Sequence, residues 1–218
     1  MARLSREESR ERTRELLRGA AAVSFARHGF EGASVDQISE EAGFSRGAFY
    51  SNFADKEAIF LDLLTRHLDQ EIDGIKHVAA ESRSLDELIG ELTASYRDLG
   101  QQPDWCLLSS EFQLYATRVG RADSEFSRVY EGYRDRLSIL LEDAFRRFDL
   151  RGELSARQLA SALIGLTQGL ALERAASKMA LPMEVTGMAI RALLSGALRP
   201  SRRSDASMDS HTSLRTSE

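Results

Sequence analysis

The sequence contains few residues that interrupt helices or cross-link a chain. Its 218 residues include three prolines, Pro103, Pro182 and Pro200, and a single cysteine, Cys106. A lone cysteine cannot form an intrachain disulfide, so the composition fits a reducing compartment. No run of about eighteen uncharged apolar residues occurs, and we therefore predict no transmembrane helix. The N-terminal stretch MARLSREESRERTREL is charged, so we expect no signal peptide and a cytoplasmic protein.

Strand patterns and catalytic motifs are also missing. Apolar residues recur at helical spacing almost throughout, and alternating β-branched runs bounded by turns do not occur. We therefore predict an all-α fold with helices over residues 5–28, 35–42, 45–51, 55–78, 85–99, 104–118, 123–148, 155–178 and 183–198. Because no glycine-rich phosphate loop, nucleophile motif or Cys/His metal set is found, we predict neither an enzyme nor a cofactor or metal site.

The charge is acidic overall but unevenly distributed. The chain has 29 basic and 34 acidic residues, which gives a net charge of −5. Residues 1–56 contain nine of each sign, so the remainder carries the whole imbalance. This distribution gives no general electrostatic footprint for nucleic acid. Any contact with phosphate must come from a local surface, and the neutral N-terminal part is the better candidate.

Capping signals and composition suggest how the chain is divided. Three capping boxes head apolar-periodic runs, at Ser34/Gln37, Ser84/Glu87 and Ser155/Gln158. We predict a helix-turn-helix DNA-binding domain over residues 1–54 and a helical regulatory and dimerisation domain over 55–198. The serine-rich segment 199–218 has almost no large apolar residues, so we predict a disordered tail.

The segment SVDQISEEAGFSRGAFYSNFADKEAIF, residues 34–60, has the pattern of a helix-turn-helix. Apolar residues share one face of the first short helix, and Gly43 follows where a left-handed turn residue is needed. A second short helix begins near Ser45. Phe49 and Phe53 are expected to pack inward, which leaves a small, polar face on the outside of the second helix.

That outward face can lie in the major groove of DNA. Its members are Ser45, Arg46, Gly47, Ala48, Tyr50, Ser51 and Asn52. Arg46 can reach O6 and N7 of guanine, while Tyr50 and Lys56 can reach phosphates. The alternatives are an ordinary helical hairpin and an adaptor that binds another protein through the same face. DNA binding is favoured because these side chains converge without an acidic residue between positions 43 and 54.

The stretch FARHGFEGASVDQISEEAGFSRGAFYSNFADKEAIF resembles the DNA-binding domain of the TetR family of bacterial transcriptional regulators, over about residues 10–62. Two departures, Ser39 where alanine is usual and Phe44 where a β-branched aliphatic residue is usual, affect core packing. The resemblance implies that Ser34 caps the second helix at a phosphate, that Arg46, Gly47, Ala48 and Ser51 face bases, and that Tyr50, Asn52 and Lys56 hold the DNA backbone.

The last two predicted helices carry apolar stripes. They comprise Leu159, Leu163, Leu166 and Leu170 in the first helix, and Ile190, Leu193, Leu194 and Ala197 in the second. Two such helices in succession predict a four-helix homodimer interface through 155–178 and 183–198. The alternative is that they complete the core of the monomer. The TetR resemblance favours the dimer.

An aromatic stripe in the middle of the chain is the candidate effector pocket. Stripes at this spacing are often core, but the TetR resemblance implies a small-molecule site between the middle helices. The predicted ligand-binding residues are Trp105, Leu108, Phe112, Tyr115, Tyr133 and Gln168. Because apolar groups predominate, we expect a mainly apolar or aromatic effector. The sequence thus predicts a ligand-responsive repressor that binds a palindromic operator as a homodimer, with a transcriptional activator as the alternative.

Overall fold

The computed structural model describes residues 5–95, 105–120, 125–176 and 181–200. The elements within these ranges are α1 (Arg6–Gly32), α2 (Val35–Glu41), α3 (Arg46–Tyr50), α4 (Lys56–Glu81), α5 (Leu85–Ser95), α6 (Trp105–Arg118), α7 (Glu125–Arg147), β1 (Leu150–Gly152), α8 (Ala156–Ala176), α9 (Met183–Ala197) and β2 (Leu198–Pro200). The predicted all-α fold is confirmed, and the helix bounds that fall on described residues lie close to those expected. The predicted bounds at 99, 104, 123 and 178 lie outside the described residues. None of the described helices is both long and apolar enough to cross a membrane.

A short β-ribbon was not predicted. Strand β1 pairs antiparallel with β2, and Arg151 lies opposite Arg199. Strands of three residues are too short to show the alternation by which strands are recognised in a sequence. Arg199 and Pro200, which we had assigned to the tail, belong to this ribbon. The rest of the predicted tail, 201–218, lies outside the described residues.

Side-chain caps account for several helix starts. Ser34 Oγ accepts from Gln37 N at 3.2 Å, and Gln37 Oε1 accepts from Ser34 N at 3.0 Å. The box at Ser155/Gln158 has the same reciprocal bonds. At the third site Ser84 Oγ accepts from Glu87 N as predicted, but the Glu87 carboxylate accepts from the backbone of Arg83 instead. These bonds satisfy backbone amides that the helices leave free at their first turns.

One aromatic core joins the helix-turn-helix segment to the rest of the protein. The rings of Phe60 and Phe112 stack with centroids 4.6 Å apart, and Phe30 meets Phe112 edge-on at 4.7 Å. All three side chains are at most 3% exposed. Helices α1, α4 and α6 therefore share one core, and α6 cannot shift without disturbing the packing of the other two.

A cluster of ion pairs fastens α1 to α4. Arg18 is 5% exposed, and its Nε donates to Asp62 Oδ2 at 2.7 Å. Its Nη1 donates to Glu11 and Glu15 at 2.7 and 2.8 Å. Burial disfavours the charged form of the guanidinium. The hydrogen bonds to the three carboxylates outweigh this effect and hold the pKa of Arg18 above its usual range. Breaking this network would leave a buried charge without its partners.

His67 on α4 gives the fold a measurable dependence on pH. Its ring stacks on Trp105 with centroids 5.1 Å apart, and burial lowers the pKa of His67 to about 4. The unfolded chain binds this proton near pH 6.5, so the stability of the fold declines as the pH falls from about 6.5 towards 4.

We expect His67→Phe to keep the stacked contact and to remove this part of the pH dependence. The melting temperature of the wild type should fall more steeply between pH 7 and 4.5 than that of the variant. His77, an exposed histidine on the same helix, provides the control: His77→Phe should retain the wild-type slope. Equal slopes for the wild type and His67→Phe would contradict the prediction.

Candidate nucleic-acid interface

The turn between α2 and α3 depends on Gly43. This residue has φ of +74°, a conformation that residues with a side chain rarely adopt. Its N–H donates to Glu40 O at 3.0 Å, and the N–H of Phe44 donates to Ser39 O at 2.9 Å. Ser39 is buried, and its hydroxyl donates to Val35 O at 2.7 Å. The chain therefore passes from α2 to α3 through one fixed turn, which sets the position of α3.

Helix α3 presents the outward face that the sequence predicts. Its N-cap is Ser45, whose Oγ accepts from Ala48 N at 3.2 Å. Phe49 is fully buried and Phe53 is 5% exposed, so these two side chains hold the helix on the core. The exposed residues are Ser45, Arg46, Gly47, Tyr50 and Ser51, while Ala48 and Asn52 are half-buried. Small residues on this face allow the backbone to approach a groove closely.

Arg46 is exposed but has partners on two sides. Its Nη1 lies 3.4 Å from both carboxylate oxygens of Asp36 on α2. Its Nη2 lies 3.4 Å from the hydroxyl of Tyr50, and the guanidinium carbon is 5.6 Å from the centre of the Tyr50 ring. Positions 43–54 contain no acidic residue, and the partner of Arg46 lies outside them, on the neighbouring helix.

Asn52 and Ser51 form local hydrogen bonds at the end of α3. Ser51 Oγ donates to Gly47 O at 2.9 Å, and Asn52 Nδ2 donates to Ala48 O at 2.8 Å. The carbonyl of Asn52 accepts from Arg14 Nη1 at 2.6 Å, so this residue connects α3 to α1. The predicted contact between the Asn52 side chain and DNA therefore competes with its bond to the helix.

Lys56 lies at the head of α4 as expected, but its ammonium group faces the protein. Nζ donates to the carbonyls of Phe30, Ala33 and Glu31 at 2.8, 2.9 and 3.3 Å. An ammonium group has three hydrogens, so these bonds use its full donor capacity. Burial lowers the pKa of Lys56, although nearby carboxylates oppose the shift. Lys56 thus caps the C-terminal end of α1, and the predicted contact with phosphate would compete with these bonds.

The end of α1 also receives a bond from α6. Gly29 has φ of +69°, and Phe30 N donates to Glu111 Oε2 at 2.8 Å. A Cβ at Gly29 would lie 2.6 Å from Glu111 Oε1, so the close approach requires glycine. Nearby, the hydroxyl of Tyr115 donates to Glu57 Oε1 at 2.6 Å. Helix α6 thus contacts both the end of α1 and the head of α4.

Most of the predicted ligand-binding residues lie in the core between α1, α4 and α6. Leu108 and Phe112 are buried there, Trp105 stacks on His67, and Tyr115 contacts Glu57. Gln168 Nε2 donates to the hydroxyl of Tyr130 at 2.8 Å. Of the six residues that we predicted, Tyr133 lines the apolar cavity described next. Trp105 also borders a second cavity, of about 220 Å³, beside Leu63 and His67 of α4. The aromatic stripe thus packs between the two parts of the chain, and ligand binding by its residues stays a prediction.

A cavity of about 90 Å³ lies between α4, α5, α7, α8 and α9. Its walls are Glu71, Ile75, Ala79, Leu88, Leu92, Tyr133, Leu137, Leu140, Leu141, Ala144, Leu163, Ile164, Thr167, Ile190 and Leu194. The hydroxyl of Thr167 donates to carbonyls of its own helix. The walls are therefore almost entirely apolar. The sequence pattern could not reveal this cavity, because its walls come from five helices.

Comparison with known proteins agrees with the geometry of the N-terminal segment. Residues 17–63, which contain the whole turn and α3, match the family described as bacterial regulatory proteins, tetR family. The repressor AcnR of Corynebacterium glutamicum is 32% identical over 161 residues, which cover 72% of this chain and 80% of that protein. The chain belongs to the TetR family.

Two further comparisons describe the extent of the similarity. AcnR of Corynebacterium diphtheriae is 34% identical over 115 residues, so this TetR-family chain matches only about half, 53%, of that relative's length. The structure of FadR from Bacillus subtilis in complex with stearoyl-CoA superposes with a TM-score of 0.63 at 17% identity, over 84% of this chain and 98% of FadR. At that identity the similarity shows a shared fold.

We expect Lys56→Met and Arg46→Ala to have different effects on stability. Lys56→Met leaves carbonyls at the end of α1 without their donor and should lower the free energy of unfolding by about 1–3 kcal/mol. Arg46→Ala removes an exposed side chain and should stay within about 0.5 kcal/mol of the wild type. Urea unfolding measures both. A Lys56→Met protein as stable as the wild type would show that the cap is unimportant.

Proposed function

We propose that this protein is a transcriptional regulator, and specifically a repressor, that binds a palindromic operator as a homodimer and is released by a small apolar effector. The observation that carries the proposal is the exposed face of α3, with small residues around Arg46, on a fixed helix-turn-helix. The family match over residues 17–63 supports DNA binding. The names of the AcnR relatives support repression.

In this proposal α3 enters the major groove and Arg46 reads guanine. Gly47 and Ala48 let the helix approach the bases, and Tyr50 contacts a neighbouring phosphate. The N-terminal part has no excess of basic residues, so contacts with phosphates supply little affinity. Base contacts must supply much of it, and they also give the preference for one DNA sequence. Binding should still weaken as salt is added, because phosphate contacts release counterions.

The proposed dimer interface is not formed by the apolar stripes from which the sequence predicts it. These stripes face the interior of the monomer. Leu159, Ile190 and Leu194 are at most 5% exposed, and Leu163 and Leu166 pack beside them. Those residues complete the monomer core, as the alternative interpretation stated. The homodimer proposal therefore rests on the outer faces of α8 and α9.

Each outer face carries a stripe of small and apolar residues, bordered by the exposed charged residues Glu173 on α8 and Glu184 on α9. These outer stripes comprise Ser161, Gly165, Gly169, Leu172 and Ala176 on α8, and Met188, Ala192 and Gly196 on α9. Leu172 is 45% exposed and Met188 is 66% exposed. Small residues allow a second helix to pack closely, and large exposed apolar side chains mark surfaces that a partner covers. A symmetric pairing of these faces would hold two copies of α3 at a fixed separation.

The cavity is the proposed effector site. Its volume is about 90 Å³, whereas sites for drug-sized molecules occupy roughly 300–1,000 Å³. An effector of that size would have to move the surrounding helices apart. Its walls favour an apolar molecule, and a fatty-acyl ligand in the FadR neighbour is compatible with that class.

In this proposal DNA is released because α4 connects the cavity to the end of α1. Helix α4 lines the cavity with Glu71, Ile75 and Ala79, and its head is bonded to the end of α1 through Lys56. A change around the cavity would therefore alter the position of α3 and the spacing of two reading helices in a dimer. To change occupancy from mostly bound to mostly released, the effector must prefer the released state by about 5 kcal/mol.

We expect the wild type to sediment as a dimer and to bind a DNA fragment from upstream of its own gene. Met188→Glu places a charge in the proposed interface, so it should produce monomers and weaken DNA binding by about 100-fold or more through lost avidity. Ile139→Glu, at another exposed apolar position on α7, is the matched control and should behave as the wild type. Sedimentation and fluorescence anisotropy test this, and a dimeric Met188→Glu protein would refute the interface.

A neighbouring pair of alanines on α4 tests the cavity. Ala79 lines it and Ala80 is exposed, so Ala79→Leu fills the site whereas Ala80→Leu does not. We expect Ala79→Leu to weaken binding of the apolar fluorophore 1-anilinonaphthalene-8-sulfonate, measured by titration of its emission, while the Ala80 variant binds as the wild type. Equal affinity in all three proteins would place the apolar site elsewhere.

A further inference from the structure

An acidic side chain lies on the surface that the proposed function turns towards DNA. Asp36 is on α2, its side chain is 67% exposed, and both of its carboxylate oxygens lie 3.4 Å from Arg46 Nη1. A carboxylate at such a position repels phosphates and lowers the affinity for any DNA sequence. Affinity for DNA therefore does not explain Asp36, whereas an effect on the choice of DNA sequence would.

We propose that Asp36 is a positioning residue for specificity: it holds the guanidinium of Arg46 beside Tyr50 and thereby sets the preference at the base pair that Arg46 reads. This inference rests on the proposed DNA-binding function. It concerns a residue that neither the sequence pattern nor the family resemblance assigned to the DNA surface.

The geometry leaves Arg46 able to bind a base while it is held. A guanidinium carries five N–H groups, and the contacts to Asp36 and Tyr50 occupy one on each terminal nitrogen. The remaining donors are enough for the paired acceptors of guanine, O6 and N7. Both contacts are 3.4 Å long, beyond the usual range for N–H···O bonds, so they restrict the side chain without locking it.

The charge of Asp36 also disfavours contacts between Arg46 and phosphates. Without it, a flexible Arg46 could turn to phosphates, which are present in every sequence and carry no information. With it, the arginine is partly neutralised and favours the orientation beside Tyr50 before DNA arrives. Such an arrangement lowers the affinity for DNA in general and raises the difference in affinity between correct and incorrect sites.

Another role for the pair is a brace between α2 and α3. Both side chains are more than 60% exposed, and exposed ion pairs contribute little to stability. A brace would affect unfolding and would change binding to all sequences by the same factor. A positioning residue changes the preference at one base pair, so the two roles are separable by experiment.

The test compares the wild type with Asp36→Asn, which keeps the shape and removes the charge. Glu40→Gln is the matched control, since Glu40 is an exposed acid on the same helix. Each protein selects binding sites from a randomised duplex library. The dissociation constants are then measured for the best site, for that site with each single substitution, and for an unrelated duplex at two salt concentrations.

We expect Asp36→Asn to lose about five-fold in preference at one base-pair position. This factor corresponds to the upper end of the interaction energy of an exposed ion pair. It should also bind the unrelated duplex more tightly than the wild type, while Glu40→Gln keeps the wild-type preference. A uniform change at all positions, or an unchanged preference, would overturn the inference and leave the proposed function standing. If the wild type itself selects no sequence, the proposed function fails and the inference falls with it.

Discussion

The end of α1 is the point on which the placement of the DNA-binding segment depends. A helix terminus leaves carbonyls without donors, and here that terminus is packed against an aromatic core. Lys56 from α4 donates to three carbonyls of this turn, and Glu111 from α6 accepts from Phe30 N. Because Gly29 permits the close approach of Glu111, three helices meet in one arrangement. Helix α2 packs against α1, and the turn at Gly43 then sets the position of α3 relative to that junction.

The same junction links the helices around the cavity to the helix-turn-helix segment. Helix α4 is bonded at both ends: Lys56 holds the end of α1, and Arg147 of α7 donates to the carbonyls of Ala79 and Ser82 at the other end. Helix α6 adds a second route, through Glu111 to α1 and through Tyr115 to α4. In the proposed mechanism these helices move as units because of their specific end contacts, and they carry a displacement near the cavity towards α3.

Local features were predictable from the sequence, and features formed by distant residues were not. The turn at Gly43 and the capping box at Ser34 and Gln37 depend on neighbours in the chain, so those residues in those places were sufficient signals. The stripe on α8 showed which leucines share a face, but periodicity does not say whether that face meets the monomer core or a partner. The Asp36 contact, the carbonyls bound by Lys56 and the cavity all join separate elements, and one sequence does not encode such pairings visibly.

The partners of the basic residues explain why a neutral N-terminal part can still be suited to DNA. Arg18 is buried among carboxylates and Lys56 is bonded to carbonyls, so both charges serve the fold. Arg46 differs because its side chain is 61% exposed and its contacts are long, which leaves it able to exchange partners. A surface of this kind attracts phosphate weakly. In the proposed homodimer, affinity then comes from base contacts and from pairing two copies of α3, both of which depend on the DNA sequence.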